Sequence, residues 1–591
     1  MSNNIFWKSF LITISLNLIA ESSFAQSQSL KIVYPPINHQ TTAESIFIIG
    51  SAPASGNVII NGKSINRSSL GYFAPSIPLK MGKNQITIRY DNEELNRVIT
   101  RVDNQPDLEE INNFSANLLN PQVDISKLPN EDVCFSAITP LGSNTTVKIN
   151  QNTISLTPAL NTVNLPSNAS VLIDNNNPIS TVANSWQKVS GCVQFSNTMS
   201  NLNPIFVMDY QGKTAQRKGE GNITILNPQE LQVVEVIAEQ GIARTGAGTN
   251  YSRLTPLPKG VRAKVTGKEG EWLRLDYGGW IKAEETRVLP TNTLPLSYIR
   301  SVTSKVKETQ TEIIFPLESA VPVSIRQDDD SLTLSLYNIV AQTDTIRFDD
   351  NPIIKRLDWY QVNPTQIDYI FSFKSPQQWG YDVRYEGNNL ILTINHPPNL
   401  KSNQSLNGAS ILLDPGHGGD ESGALGPTGY PEKDVNLIVS KLVAQELEKR
   451  GARVYLTRND DSFVSLGDRA KMIRNVNPTV ALSIHYNALP DGGNAEKTKG
   501  VSTFWYHPQA QDLAVYLHNY LINQLDRDSA GIFWNNLALT RPHQSPTVLL
   551  ELGFMINPEE FEWITNSSAQ KQLAFTLADG IQNWILSKNS W

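Results

Sequence analysis

The sequence is poor in cysteine, histidine and charged residues. Its 591 residues include two cysteines and seven histidines, and charged residues make up 18% of the chain. The formal net charge is −7 at neutral pH and the pI is near 5.7. Because a nucleic-acid-binding protein usually carries a basic stripe, this composition excludes nucleic-acid partners. After the N-terminal segment the chain also lacks an apolar run of bilayer-spanning length, so we predict no membrane span in the mature protein.

The N-terminus predicts export. Lys8 precedes an apolar stretch over residues 10–20 and a small-residue cleavage site at 23–25, which is the pattern of a signal peptide covering residues 1–25. A membrane anchor is the alternative, but the apolar run is short and is interrupted by Ser15 and Asn17. We therefore expect a soluble protein of the periplasm or cell envelope.

The two cysteines fit this location. Cys134 and Cys192 are close enough along the chain to share one domain, and an exported protein meets oxidising conditions. We predict that they form a disulfide. Two separately buried thiols are the alternative, because a sequence does not give the distance between them.

The length predicts several domains, about three to five at the usual domain size. Residues 28–103 show short alternating strands broken by Gly, Asn, Pro and Ser, which is typical of a β-sandwich. This region resembles a bacterial Ig-like domain. Its segment 58–61, Val-Ile-Ile-Asn, is answered by Val-Lys-Ile-Asn at 147–150, so a second, related β-domain is predicted over residues 104–228.

The pattern changes over residues 231–290. An Arg-x-Gly-x-Gly opening at 244–248 is followed by Trp-Leu-Arg-Leu at 272–275 and Gly-Trp-Ile at 279–281. The region resembles a bacterial SH3 domain, a module that often binds cell-wall peptides, with Tyr251 and Trp272 as candidate binding aromatics. The alternative is that such rings are core residues of a small barrel.

Residues 299–396 again show strand patterns separated by turn-rich pieces. They resemble the AMIN domain, a β-module that targets partner enzymes to the bacterial envelope. Residues 397–408 are rich in Asn, Ser and Pro without an apolar period and are predicted to be a linker. The resemblances make envelope or division proteins candidate partners of the β-modules.

From residue 409 to 588 strand and helix patterns alternate. A strand at 410–413, a helical apolar face over 432–450 that ends at Gly451, and further strands at 453–457, 479–484, 501–505 and 547–550 predict an α/β sheet covered by helices. Further helices are predicted at 466–474, 509–525 and 568–586.

Polar residues that can bind a metal follow the strands of this domain. His417 stands on a Pro-Gly-His-Gly-Gly turn after the first strand, and His485 and Glu551 end two later apolar strands. Ligands bind at the carboxyl edge of open α/β sheets, so these side chains can meet there, and Glu432 in the first turn of the following helix can reach the same edge. Two imidazoles, a carboxylate and a further base are a common set for catalytic zinc. The residues alone do not say which glutamate is the ligand and which is the base.

Six motifs in order resemble one enzyme family. They are Leu-Asp-Pro-Gly-His-Gly-Gly at 413–419, Glu-Lys-Asp-Val-Asn-Leu at 432–437, Leu-Thr-Arg at 456–458, Arg469, Ser-Ile-His-Tyr-Asn-Ala at 483–488 and Leu-Glu-Leu-Gly-Phe at 550–554. The chain is similar over about 180 residues to the zinc-dependent N-acetylmuramoyl-L-alanine amidases of the Amidase_3 type.

That resemblance implies Zn²⁺ bound by His417, Glu432 and His485, with Glu551 as catalytic acid/base. The implied reaction is hydrolysis of the amide between N-acetylmuramic acid and L-alanine in peptidoglycan, for cell-wall remodelling or daughter-cell separation. Two alternatives are a zinc peptidase acting on the stem peptide and a non-catalytic wall-binding protein.

Three other residues could contact the substrate, and one short segment bears on access to the site. Arg541 lies beside the motifs and could either contact substrate or hold a loop through hydrogen bonds, and His507 and His543 are loop residues that could approach substrate. Only residues 489–500 separate the second histidine motif from the next strand, which is too short for a helix that blocks the site. We therefore expect an open site controlled by localisation through the β-modules.

Overall fold

The computed structural model describes residues 29–103, 107–158, 162–173, 176–181, 185–294, 296–402 and 404–588. The predicted signal peptide, residues 1–25, lies outside the described residues. Within them, the chain is multidomain: four strand-rich modules precede an α/β domain, and buried apolar clusters divide accordingly. Among the helices described, none is both long enough and apolar enough to cross a membrane.

The N-terminal module, residues 29–103, packs short strands around a core that includes Ile46, Phe73 and Ile88. Its strands form sheets of three, five and two strands. They are Lys31–Tyr34, His39–Thr41, Ser45–Phe47, Ile49–Ser51, Val58–Ile60, Lys63–Ser64, Tyr72–Phe73, Ser76–Pro78, Gly82–Tyr90 and Glu93–Arg101.

The second module, residues 107–228, is built on a seven-stranded antiparallel sheet. Cys134 and Cys192 face each other on neighbouring strands of this sheet and are joined by a disulfide. The module begins with the helix Leu108–Asn112. Its strands are Leu119–Asn120, Ile125–Lys127, Asp132–Pro140, Asn144–Ile149, Asn152–Pro158, Thr162–Asn164, Ile179–Thr181, Trp186–Gln194, Met199–Leu202, Ile205–Tyr210, Lys213–Lys218 and Ile223–Ile225.

The third module, residues 231–290, shares a sheet with the second. The strand Ile125–Lys127 pairs with Ile223–Ile225 on one side and with Arg262–Glu269 on the other, so hydrogen bonds run across the position where the sequence predicts a boundary. Trp272 and Trp280 are buried, and Tyr251 is 51% exposed. The strands are Val233–Val236, Gln240–Gly241, Leu257–Pro258, Arg262–Glu269, Trp272–Leu275, Trp280–Lys282 and Thr286–Val288.

The fourth module, residues 297–396, is a sandwich of a five-stranded and a four-stranded sheet around one apolar core. Alternate residues of its strands are buried, as a sheet with one covered face requires. The strands are Ser297–Val306, Gln310–Pro316, Val323–Gln327, Ser331–Tyr337, Ile339–Arg347, Ile354–Asn363, Gln366–Phe373, Tyr381–Glu386 and Asn389–Asn395.

The C-terminal domain is a six-stranded sheet with helices on both faces. Its elements, numbered within the domain, are β1 (Ser410–Pro415), α1 (Glu432–Lys449), β2 (Arg453–Leu456), α2 (Leu466–Val476), β3 (Val480–Asn487), β4 (Val501–Trp505), α3 (Pro508–Leu525), β5 (Ser529–Trp534), β6 (Thr547–Phe554), α4 (Pro558–Thr565) and α5 (Ser567–Lys588). The strand order is β2-β1-β3-β6-β4-β5. Strands β2, β1, β3 and β6 are parallel, whereas β4 and β5 run in the opposite direction.

The two faces of this sheet are covered differently. Helices α1, α3 and α5 bury the larger apolar cluster, while α2 and the loop 535–541 cover the other face through Ile473 and Leu539. The sequence pattern did not predict β5, which is interrupted by Gly531, or α4. Asn557 caps α4 by accepting hydrogen bonds from two backbone amides, and its Asn-Pro start was the available signal.

Candidate metal centre

Three side chains that the sequence singled out meet at the carboxyl edge of the sheet. His417 follows β1, Glu432 is the first residue of α1, and His485 lies near the end of β3. His417 Nε2 lies 3.2 Å from Glu432 Oε2, and His485 Nδ1 lies 3.0 Å from Glu432 Oε1. One ligand atom from each side chain falls within 4.8 Å of the others. The three residues are therefore close enough to bind one ion.

The turn after β1 brings the two imidazoles together. His417 has a φ of 58°, a left-handed conformation that a non-glycine residue adopts at a cost and that is often found at functional sites. A Cβ at Gly416 would lie 2.2 Å from the His485 ring, so only glycine leaves space for that ring. The glycine turn is thus required by the approach of the second histidine.

A buried ion pair between Arg469 and Asp414 stabilises this turn. The side chains of Arg469 and Asp414 are 2% and 1% exposed, and Arg469 Nη1 donates to Asp414 Oδ1 at 2.6 Å. Arg469 also donates to the carbonyl oxygens of Pro415 and His417, each at 2.7 Å. Because one planar guanidinium binds three groups of the turn, it fixes the backbone that carries His417.

A second buried arginine acts in the same way. Arg458 donates to the carbonyl oxygens of Pro415 at 3.0 Å and Gly416 at 2.9 Å, and to that of Lys433 in α1 at 2.7 Å. It thereby ties the turn to the helix that begins with Glu432. Sequence reasoning did not assign this role to Arg458 or to Asp414, although a charged residue that directly follows a buried strand needs partners.

Glu432 is oriented by several donors. Its Oε2 accepts from the backbone amide of Ala424 at 2.9 Å, and its Oε1 accepts from the amide of Tyr486 at 3.1 Å and from Asn436 Nδ2 at 3.0 Å. Burial raises the pKa of this carboxyl, but hydrogen bonds to the two histidines outweigh burial and place the pKa below its usual range. Glu432 is therefore an ionised, positioned carboxylate.

Glu551 is the second carboxylate of the site, with a different environment. It lies on β6 directly opposite His485 of β3. Its Oε2 is buried and has no hydrogen-bond partner among the residues that the structure describes. Burial, together with the nearby charge of Glu432, raises the pKa of Glu551 well above that of an ordinary glutamate. This carboxyl is thus suited to carrying a proton near neutral pH.

The donor set fits a divalent cation. Two imidazoles and one carboxylate within coordinating distance are a ligand set of catalytic zinc sites. The unpartnered Oε2 of Glu551 beside them offers an acceptor for a water molecule or a substrate proton. The structure thus brings His417, Glu432, His485 and Glu551 together at one edge of the sheet.

Three other residues of the sequence expectation lie elsewhere. Because β4 is antiparallel to β6, residues that follow Trp505 reach the sheet edge opposite the metal group. His507 is at this far edge, and its Nε2 contacts the carbonyl oxygen of Arg541 at 2.8 Å. His543 lies beside it, 3.4 Å from Asp382 of the fourth module. Strand direction, which the sequence does not give, separates these residues from the metal group.

The N-terminal module borders the metal centre. Asp491 accepts a hydrogen bond from the Tyr34 hydroxyl and lies 2.8 Å from His39 Nε2, while Lys31 Nζ donates to the Thr428 carbonyl at 2.6 Å. Apolar residues of both domains form one cluster, comprising Phe47, Ile49, Ala74, Ala495, Phe554 and Ile556. The contacted segments, 424–431 and 489–500, follow the turn of His417 and the strand of His485.

The rim segment 489–500 matches one sequence expectation and adds a contact that was not predicted. Its residues, all of them described, contain no helix. The N-terminal module packs on this segment. The module therefore contacts the rim of the site directly, in addition to any targeting role.

Comparison with known proteins finds matches to the C-terminal domain. Residues 411–583 match the family model described as N-acetylmuramoyl-L-alanine amidase. Among curated proteins, the probable cell wall amidase LytH of Staphylococcus aureus is 36% identical over 186 residues, which are 31% of this chain. The chain spans 61% of the length of that relative.

Solved structures give matches over the same third of the chain. An N-acetylmuramoyl-L-alanine amidase from Clostridium difficile 630 is 31% identical and covers 32% of this chain and 100% of its own, with a TM-score of 0.30. The amidase AmiC2 of Nostoc punctiforme is 32% identical and covers 30% of this chain and 96% of its own, with a TM-score of 0.28. By its sequence, the C-terminal domain of this chain is therefore similar to N-acetylmuramoyl-L-alanine amidases.

Proposed function

We propose that the chain is a zinc-dependent enzyme that hydrolyses the amide bond between N-acetylmuramic acid and L-alanine in peptidoglycan. The observation that carries this proposal is the convergence of His417, Glu432 and His485 beside Glu551 at one sheet edge. The family match and the similarity to LytH, a probable cell wall amidase, support the substrate.

In this proposal His417, Glu432 and His485 bind the metal. Zn²⁺ bound there would supply a Lewis acid and would lower the pKa of a water molecule from about 15.7 to about 7. The protein keeps the ligands in place, because the donors to Glu432 and the two buried arginines leave them little freedom. Such positioning avoids the cost of reorganising the site during the reaction.

Glu551 moves the proton. As the carbonyl carbon of the amide is attacked by water, the Glu551 carboxylate accepts the proton of that water and then donates it to the nitrogen of the departing L-alanine. A raised pKa serves both steps, because the group must gain and lose a proton near neutral pH. Burial of Oε2 keeps bulk water from competing for that proton.

The β-modules would place the enzyme on its substrate. We assign residues 28–103 as an Ig-like module, 104–228 as a second, related β-module, 231–290 as an SH3-like module and 299–396 as an AMIN-like module, in an exported chain that acts in the periplasm or cell envelope. Their sequence resemblances support wall peptides and envelope or division proteins as partners. The strand-rich structure of this region agrees with the assignment.

The direct test is an end-group analysis of digested peptidoglycan. The purified full chain is incubated with peptidoglycan, with and without a chelator, and new amino termini are identified. Newly exposed L-alanine amines with intact glycan, lost on chelation and restored by Zn²⁺, are the expected result. Newly cut bonds within the stem peptide would instead show a peptidase, and binding without release would show a wall-binding protein.

A matched pair of variants tests the role of Glu551. We expect Glu551→Gln to retain zinc and to lose about 10²- to 10⁴-fold in turnover, the range for removal of a general acid/base. Glu559→Gln, an exposed glutamate in α4, makes the same chemical change outside the site and serves as the control. Near-normal turnover of Glu551→Gln with zinc bound would contradict the assigned role.

A further inference from the structure

A large cavity lies between the third module, the fourth module and the C-terminal domain. Its volume is about 1640 Å³, and each of the three units contributes to its lining. The C-terminal domain contributes α2 and the segments 506–508 and 534–544. These two segments lie away from the metal group because β4 runs toward the opposite sheet edge. Ligand sites occur preferentially at such domain interfaces.

The lining is positively charged, although the whole chain has a net charge of −7. Glu239 is its only acidic residue among those described, and Glu239 is already paired with Lys259. The basic residues of the lining are Arg253, Arg326, Lys471, Arg474 and Arg541. Of these, Arg326 is paired with Asp328, so most of the positive charge is not balanced by the lining itself.

Arg253 is the most informative of these cations. Its guanidinium has neither a hydrogen bond nor an ion pair with any residue in the described part of the chain. Burial and the neighbouring Arg244 charge lower its pKa, and Glu285 offsets part of that repulsion. Burial, followed by the charges of Arg253 and Arg244, lowers the pKa of Arg541 to about 10. Three arginines are therefore close enough to repel one another, which favours binding of an anion among them.

Aromatic rings lie beside these arginines in the cavity wall. Trp534 is 60% exposed, and its Nε1 donates to the Tyr506 carbonyl at 2.9 Å, which holds the ring in place. The Trp534 and Tyr506 rings lie 5.1 Å apart at an angle of 35°. An exposed, fixed aromatic surface suits the flat apolar face of a sugar ring, because it offers contact area at little entropic cost.

We propose that this cavity binds an anionic glycan chain, with its carboxylate or phosphate groups at Arg253 and Arg541 and a sugar ring on Trp534 and Tyr506. The volume exceeds that of a usual small-molecule site, which is about 300–1,000 Å³, and fits a segment of a polymer. Arginine pairs with either anion through two parallel hydrogen bonds. The cavity would bind a wall polymer at a position separate from the metal centre. Binding there does not depend on hydrolysis at the metal centre.

Three soluble probes distinguish the two possible sources of the anionic groups, the carboxylates of peptidoglycan and the phosphates of a phosphate polymer. The full chain carrying Glu551→Gln, which spares the probe from hydrolysis, is titrated by calorimetry with three soluble compounds. These are an uncrosslinked disaccharide with its carboxylate-bearing stem peptide, a poly(glycerol phosphate) that carries N-acetylglucosamine on its glycerol units, and a neutral chitooligosaccharide. Arg253→Gln and Trp534→Ala are then compared with Arg300→Gln, which removes the same charge from an exposed residue outside the cavity.

We expect Arg253→Gln to weaken binding of an anionic probe by about tenfold, the effect of losing roughly 1.4 kcal/mol, and Arg300→Gln to leave it unchanged. Weaker binding of the stem-peptide probe identifies peptidoglycan as the source, and weaker binding of poly(glycerol phosphate) alone identifies a phosphate polymer. If the chain with Arg253→Gln bound both anionic probes as tightly as the chain that retains Arg253, the proposal would be overturned.

Two further results complete the test. Trp534→Ala replaces an exposed ring and is expected to fold normally, so it checks the same site independently of Arg253. Binding of the neutral chitooligosaccharide as tightly as the anionic probes would contradict an anion site. Because the titration measures binding alone, its failure leaves the proposed hydrolysis untouched, and failure of hydrolysis leaves the cavity proposal standing.

Discussion

The metal centre and the cavity between the modules arrange buried charge in opposite ways. At the metal centre, oppositely charged groups face each other: Arg469 pairs with Asp414, and Glu432 lies between two histidines. In the cavity, Arg253 and Arg541 repel each other. The first arrangement stabilises the fold and fixes the geometry of the site. The second contributes little to folding and makes sense as a site for an external anion.

The largest effect is expected from His417→Ala. Removing one of the three proposed ligands would leave an incomplete donor set, so the protein should lose most of its bound metal and, with it, its hydrolytic activity. Metal content by mass spectrometry and release of L-alanine ends measure both effects. His396→Ala, a half-buried histidine of the fourth module, is the control and should retain metal.

Arg469→Met should cause the largest loss of stability. It leaves Asp414 buried without its partner, which typically costs about 3–5 kcal/mol. Chemical denaturation followed by a probe in the C-terminal domain measures the change. A loss below about 1 kcal/mol would mean that the pair does not stabilise the turn, contrary to its contacts.

Asp491→Asn tests the contact between the N-terminal module and the rim of the metal centre. It removes the charge that binds Tyr34 and His39, so the local loss should reach about 1.5–3 kcal/mol, the range for a hydrogen bond to a charged group. Hydrogen exchange over residues 489–500 should become faster, whereas exchange in β1 should not change. Asp528→Asn, which pairs with Lys499 at the surface, is the control.

Acidification should weaken the same contact. Burial raises the pKa of Asp491, but hydrogen bonds from Tyr34 and His39 outweigh it and lower the pKa below the ordinary value. The stabilisation is therefore fully present above the pKa of an unfolded aspartate and is lost as the pH falls through the lowered value. Exchange at 489–500 measured along an acid titration should show this order.

The smallest effect on stability is expected in the cavity. Because Arg253 has no partner among the described residues, Arg253→Met should change stability by less than about 0.5 kcal/mol. The same denaturation experiment as for Arg469→Met measures it. A loss as large as that of Arg469→Met would show that Arg253 supports the fold, and the contrast between the two regions would disappear.

The sequence predicted much of the metal centre because its signals are local. A histidine on a glycine turn, a glutamate at a helix start, and a histidine and a glutamate late in apolar strands can be located by pattern alone. Parallel strands then place the ends of β1, β3 and β6 at one edge. The helices α1, α2, α3 and α5 were also predicted to within two residues at each end, since their apolar periodicity is regular.

Contacts between distant segments could not be predicted in this way. The packing of the N-terminal module on residues 489–500, the sheet shared by the second and third modules, and the position of Arg541 depend on how finished domains pack and on the direction of β4. These depend on shape and charge complementarity over whole surfaces, which no local pattern encodes.

The sequence by itself therefore determined the chemistry: which side chains can bind a metal, and which enzyme family has them in this order. Tertiary structure alone decided which charges are compensated. Arg469 and Arg253 have the same side chain, yet one is buried against a carboxylate and the other lies unpaired in a cavity. The physical reason is that the energy of a charge depends on the groups packed around it, and packing is settled only when the chain has folded.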